Sequence, residues 1–409
     1  MIGNPPYIRQ EAMTRKKPAL RGFASYDGVA DLYVYFIELA HRIGKRYCLI
    51  TPNKWLTAAY GRPLREWLAR QGSVEGIVDL GALAVFADAD AFPSIVWGCA
   101  GELLRAPVRA ARVATRTTIA DALATALPHP RDRWRADPWH IDTPDDRALL
   151  DRISARWPAL SEVLAERPAR GIVTGCNRAF VLDAAARERL LADEPAAAAF
   201  VRRFAKGRDL RRWLPELPER WILMIDRGTV LAQLPPAVRA HLARFREALE
   251  PRPPDATGPW RGRKPGTYRW FELQDPVGAL AASRAPRLFY QDIQTEPACS
   301  VDDAGELVPD TTVWILPTAD RYLLALLNSR LYRWYARRRF PPALNGAVRP
   351  KLEYMRALPV AQPPPDLRAH VVRLVEQRLR GKAVDDAIDD AILDAYELAA
   401  RDRARVLAG

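Results

Sequence analysis

The sequence predicts an α/β domain at the start of the chain, an α+β region after it and helices at the end. Helical and buried-strand patterns alternate between residues 31 and 99, as in sheets covered by helices. Short strand-like runs broken by Gly, Asn and Asp follow from residue 171. The stiff Pro-rich stretch 361–365 then marks where two helical patterns begin.

Taken in order, Leu32, Phe36, Leu39, Ala40 and Ile43 recur at helical spacing, and 46–52 follows as a buried parallel strand ending in a loop. Residues 63–71 give a short helix, 74–80 a strand and 93–99 a third apolar run. The last two suit an antiparallel hairpin at a sheet edge. Residues 105–160 are rich in Ala, Arg and Pro and poorly periodic, fitting a strand pair and a connector. Residues 171–181 read as strand, tight turn and strand. Helices are expected over about 366–380 and 383–403, the second opening on Asp385, Asp386, Asp389 and Asp390, acids that a helix N-terminus favours.

The 409 residues exceed one typical domain, and 49% hydrophobic content supports packed cores. A net charge of +13 implies a polyanionic partner, nucleic acid being the commonest. Cys48, Cys99, Cys176 and Cys299 stand far apart, which suggests neither a zinc site nor a disulfide framework and fits a reduced cytoplasm. The five histidines are equally scattered, so no metal site is expected. No stretch reaches the roughly 18 apolar residues that span a bilayer, so no membrane partner is expected.

The most informative residues are Asn4, Pro5, Pro6 and Tyr7. An exocyclic aromatic amine such as N6 of adenine is a poor nucleophile because its lone pair is delocalised into the ring. Two acceptors aimed at its two hydrogens let the nitrogen pyramidalise and turn that lone pair towards an electrophilic methyl group. The Asn side-chain oxygen can be one acceptor and a Pro carbonyl the other. The Pro-Pro pair lacks N–H donors and fixes φ, which keeps those carbonyls aimed. Tyr7 can stack on a base turned out of the duplex. The same tetrapeptide also fits an ordinary turn.

With this motif the chain resembles the N6-adenine-specific DNA methyltransferases, and residues 2–11 look like the type IIG restriction-modification methylases. Residues 171–181, 206–213, 221–226, 286–293, 326–331 and 358–360 are similar, in order, to the TaqI-like specificity domain that these methylases carry C-terminally. The resemblance implies the C-terminal part of a Rossmann-like methyltransferase sheet, an α+β target-recognition domain and terminal helices. The corresponding boundaries are 1–115 for the partial catalytic domain, 116–160 for a connector, 161–360 for target recognition and 366–405 for the helices. It also implies methylation of adenine N6 in double-stranded DNA with base flipping, and S-adenosylmethionine as donor. Phe86 best matches the aromatic that forms the opposite wall of the adenine pocket, with Phe92 as substitute; either also fits plain core.

The donor's glycine-bearing turn, and the acid that would hold its ribose, have no counterpart along the chain, and only three residues precede Asn4. The expectation is the C-terminal part of a longer methylase, inactive without its cofactor-binding half, which fits a split gene with that half on a separate polypeptide, a frameshifted remnant or a misplaced start codon alike. The candidate DNA contacts are Arg203, Lys206, Arg208, Arg263, Lys264, Arg337 and Arg338, from basic stretches interleaved with aromatics. Each stretch fits a solvated charged face as well. A non-catalytic, sequence-specific DNA-binding subunit is the alternative from another functional class.

Overall fold

The computed structural model describes residues 1–81, 92–101, 105–113, 119–343 and 346–409. It divides into two units, Met1–Arg152 with Ala336–Arg349, and Ile153–Tyr335 with Pro350–Gly409.

The first unit holds a six-stranded sheet made of β1 (Ile2–Gly3), β2 (Arg46–Pro52), β3 (Val74–Asp79), β4 (Pro93–Cys99), β5 (Val108–Arg112) and β6 (Leu127–His129), in the order β1-β2-β4-β3-β5-β6. β1, β2, β3 and β5 run one way, β4 and β6 the other. β3 and β4 are antiparallel as expected. They are not at a sheet edge, because β4 is also hydrogen-bonded to β2 along its whole length. Gly76 permits this arrangement: a Cβ there would lie 2.1 Å from the Trp97 ring.

Side chains alternate between the sheet faces. Tyr47, Leu49, Ile77 and Val96 are buried against Tyr33, Val34 and Ile37 of the helix Leu32–Ile43 and Leu64 and Leu68 of the helix Arg62–Gln71. Each of the Val, Leu and Ile side chains among them contributes about 1.5–3 kcal/mol on burial. On the opposite face Val78 is buried, while Ile50, Ile95 and Trp97 stay half-buried. The sequence boundary at 115 falls inside this sheet, since β6 pairs with β5. The expected connector belongs to this unit as far as Arg152, and its last residues, 153–160, belong to the second. The guanidinium of Arg65 donates to the carbonyls of Ala136, Asp137, Trp55 and Ala58 at 3.1, 3.0, 2.6 and 2.9 Å.

The second unit contains β7 (Ala169–Arg170), β8 (Val181–Asp183), β9 (Val201–Ala205), β10 (Arg220–Leu223), β11 (Arg287–Gln291), β12 (Cys299–Asp302), β13 (Leu307–Pro309) and β14 (Val313–Leu316). They form two four-stranded sheets, β13-β9-β10-β8 and β12-β11-β14-β7, sharing one core through Phe204, Ile222, Phe289 and Ile315. The expected hairpin at 171–181 does not form. β7 and β8 lie in different sheets, and Asn177–Phe180 between them is a helical turn. At the bend Gly175 takes φ +71°, where a Cβ would meet Arg263 Cδ at 2.6 Å. The C-terminal region forms three helices, Pro365–Leu379, Asp385–Ala395 and Ala400–Ala408, where two were expected. The break comes at Glu397, whose φ is +54°. The acids of the middle helix serve partners besides its own N-terminus. Asp385 accepts from Trp213 Nε1 at 3.0 Å and Asp389 from the Arg330 backbone at 2.8 Å.

Candidate functional site

β1 aligns Ile2 with Cys48 and Gly3 with Leu49, so Asn4 leaves the sheet at the same end as the residues following β2, β3 and β5. In open α/β sheets this carboxyl end is where ligands are received. Asn4 is exposed and its side chain has no hydrogen-bond partner among the described residues. Pro5 is buried and Pro6 exposed, and neither carbonyl accepts a hydrogen bond there.

Tyr7 is half-buried. Its hydroxyl donates to the Ile50 carbonyl at 3.4 Å, and its ring stands edge-on to Tyr33 with centroids 6.4 Å apart. Tyr33 is itself fixed from the helix side, sharing a hydrogen bond with Tyr60 at 2.9 Å. Burial pushes the Tyr7 phenol above its ordinary range and that of Tyr33 well above it, so both rings stay neutral. The chain beyond the loop is tied to the helix start, Leu32 N donating to Ile8 O and Gln10 N to Asp31 Oδ1, each at 3.0 Å. Further on, the buried carboxylate of Glu38 accepts from Ala24 N and Ser25 N at 3.0 and 2.7 Å.

Along the same sheet end runs a polar relay that sequence reasoning missed. Asn53 Nδ2 donates to Asp79 Oδ1 at 2.7 Å, and Asp79 Oδ2 meets Arg112 Nε at 3.2 Å. Asn53, Asp79 and Arg112 are far apart in sequence and carry no shared motif, so only the strand order reveals them. Phe92 sits here too, its carbonyl accepting from Asn53 N at 2.6 Å. Phe86 lies outside the described residues.

The described residues do not by themselves fit the adenosyl group of S-adenosylmethionine. The acids near this end are committed, Asp79 to Asn53, Gly81 N and Arg112, and Asp31 to Gln10 N. Both Asp79 oxygens are thus engaged, and no Gly-x-Gly turn between a strand and a helix occurs among the described residues to seat the adenosyl group.

The basic residues sort by burial. Arg208 and Lys264 are exposed; Arg203, Lys206, Arg337 and Arg338 are half-buried. Arg338 pairs with Asp146 at 3.1 Å. Arg263 is a correction. It is 3% exposed, and its guanidinium donates to the carbonyls of Leu249, Thr174, Glu272, Arg269 and Trp270, so no donor remains for DNA. The Gly- and Pro-rich surroundings suggested an open cationic loop, whereas the loop is folded around this side chain. Among the described residues no helix is long and apolar enough to cross a membrane, and no group of three potential metal ligands occurs.

Residues 1–86 match the family of Eco57I restriction-modification methylases, and residues 256–360 match the TaqI-like C-terminal specificity domain. The chain is 26% identical over 415 residues to the type II methyltransferase M.PaeR7I of Pseudomonas aeruginosa, covering 92% of this chain and 67% of that protein. It is 25% identical over 433 residues to M.XhoI of Xanthomonas vasicola, covering 97% of this chain and 74% of that protein. In fold it is similar to the type IIL restriction-modification enzyme MmeI, solved in complex with DNA. There the TM-score is 0.61 at 12% identity, over 97% of this chain and about half, 52%, of the MmeI chain. A methylase match over the Asn4–Tyr7 loop, a specificity-domain match further along and type II methyltransferases as relatives together support a type IIG-like restriction-modification methylase.

Proposed function

We propose that the chain supplies the target-base loop and the recognition domain of a DNA methyltransferase specific for N6 of adenine. S-adenosylmethionine is the donor, held by a cofactor-binding half that lies outside the described residues. The observation that carries this reading is the exposed, unpartnered Asn4 at the carboxyl end of β1, followed by two prolines and a braced Tyr7 ring. In this reading double-stranded DNA delivers a flipped adenine to the loop. The Asn4 side-chain oxygen and a Pro carbonyl accept the two N6 hydrogens while Tyr7 stacks on the base. Phe86 or Phe92 forms the facing wall, and Arg203, Lys206, Arg208, Lys264, Arg337 and Arg338 contact the duplex.

The test is reconstitution with a polypeptide carrying the cofactor-binding half. Labelled methyl should appear on adenine N6, and Asn4→Ala should lower transfer by roughly 10²–10³-fold while DNA binding is retained. Undiminished transfer by the variant would refute the assignment. A second reading, a DNA-binding specificity subunit without catalysis, is favoured by the engagement of both Asp79 oxygens at the sheet end. It wins if the reconstituted protein binds DNA but never transfers methyl.

A further inference from the structure

Arg187, Arg202, Arg203 and Arg284 line one cavity of about 220 Å3 in the second unit, together with Trp221 and Glu306. That is far above the roughly 10–15 Å3 that admits one water. Arg203 and Trp221 are register partners across β9 and β10, and the guanidiniums of Arg187 and Arg203 lie 4.8 and 5.7 Å from the indole centroid. Stacking on an aromatic face holds a cation in place without a carboxylate.

Arg202 leaves β9 on the opposite face and is only 8% exposed. Its terminal nitrogens donate to the carbonyls of Ala282, Ser283 and Gly305 at 2.7, 3.3 and 2.7 Å, which leaves Nε without a partner. β13 begins only at Leu307, opposite Arg203. The first residues of β9 therefore have no β13 neighbour, and both arginines can border the cavity.

The charge is unbalanced, with four guanidiniums lining the cavity against one carboxylate, Glu306. Among the described residues none of Arg187, Arg203 and Arg284 is within ion-pair distance of a carboxylate. Elsewhere in the unit Arg211, Arg212 and Arg246 reach acids at 2.9, 3.1 and 2.7 Å. The nearby buried acid, Asp302, already faces Arg287 at 3.7 Å. Burial, with Arg287 and Arg284 close by, pushes the Arg202 guanidinium down to about 10. An anion in the cavity would relieve that repulsion. Guanidinium forks match tetrahedral oxyanions, and several converging cations suit a doubly charged one better than a carboxylate.

We infer that this cavity binds a phosphate group. Two sources share the chemistry, a backbone phosphate of duplex DNA and a free phosphate or phosphate ester; only the first rests on the function proposed above.

Two measurements on the full chain separate them. In the first, inorganic phosphate is compared with chloride at equal ionic strength by thermal melting. Phosphate should raise the melting temperature of the wild type and leave a triple variant, R187A/R203A/R284A, unaffected. Arg202 is kept because its carbonyl bonds support the fold. Should the triple variant fail to fold, R203A alone is used, with phosphate affinity expected to weaken roughly tenfold or more. In the second, the salt dependence of binding to a duplex oligonucleotide is measured, where one lost backbone contact lowers the log–log slope by about 1.

Lost phosphate protection with a shallower slope supports the cavity with DNA as the source. Lost protection with an unchanged slope supports it with a free phosphate source. No protection of the wild type, or equal protection of the variants, overturns it. If the chain binds no DNA at all, the proposed function fails, while the phosphate measurement still decides the cavity.

Discussion

In the first unit one sheet face is buried under two helices, but the other leaves Ile50, Ile95 and Trp97 half-buried and ends at β1 with Ile2 89% exposed. In the second unit the sheets β12-β11-β14-β7 and β13-β9-β10-β8 turn inward on a shared core, where Phe204, Ile222, Phe289 and Ile315 have no exposure. The second unit thus closes its two sheets on one core, while the first leaves one sheet face only partly covered and the β1 edge exposed beside its Asn4 loop. Both nevertheless fix their irregular segments in the same way, with one buried arginine donating to backbone carbonyls: Arg65 to at least four and Arg263 to five.

The largest effect is expected at Arg263. Arg263→Ala should destabilise the second unit by about 3–5 kcal/mol, since buried carbonyls lose their donors and a void replaces the side chain. Arg263→Lys should recover only part, because an ammonium has three donors and no planar fork. Urea midpoints measure this, and a loss within 0–1 kcal/mol, on the order of a surface contact, would return Arg263 to the surface. Arg65→Ala should likewise destabilise the first unit, by about 2–4 kcal/mol, because at least four buried carbonyls lose their donor. A loss no larger than a surface contact's would break the parallel between the two clamps.

Arg263 also marks the limit of what the sequence discloses. Its neighbours Gly262, Pro265 and Gly266 are loop-formers, and a cationic loop looks the same in sequence whether its arginine faces solvent or carbonyls. The strands from Arg46 to Cys99 were legible because their apolar runs end at Pro and Gly, yet the place of β4 between β2 and β3 was not, since hydrogen-bonded order leaves no periodic trace. The same reason hid the relay from Asn53 through Asp79 to Arg112. The Asn4–Tyr7 loop was legible because its chemistry is contiguous in the chain. The cavity around Arg202 was not, because Arg187, Trp221 and Arg284 converge on it from separate segments.

Acid should sharpen the contrast. Burial lowers the pKa of His41, His129 and His140 in the first unit and of His241 in the second, with nearby guanidiniums adding to the effect at His129, His140 and His241. A depressed histidine is neutral when folded and takes up its proton on unfolding. Its neutral form therefore costs nothing above the unfolded pKa of about 6.5, and stability falls as pH drops below that towards the folded value. Three such groups against one predict that lowering the pH from neutral to about 5 weakens the first unit more. Urea midpoints followed by tryptophan emission at both pH values test this. Equal losses in the two units would show that these histidines do not distinguish them.

The smallest effect on the chain alone is expected at the most exposed large apolar residue among those described. Ile2 is register partner to Cys48 on the half-clad face, and at 89% exposure it has almost no packing to lose. Ile2→Lys should therefore change stability by less than about 0.5 kcal/mol. The same change should matter in reconstitution if the cofactor-binding half pairs along β1, because a charge on a strand edge opposes the addition of another strand. Methyl transfer should then need a higher concentration of that half, with the rate at saturation unchanged, since Ile2 lies on the strand before the Asn4 loop and not in it. A variant that melts earlier by itself would mean that Ile2 is packed within the unit. One that assembles as readily as the wild type would mean that the partner half approaches elsewhere.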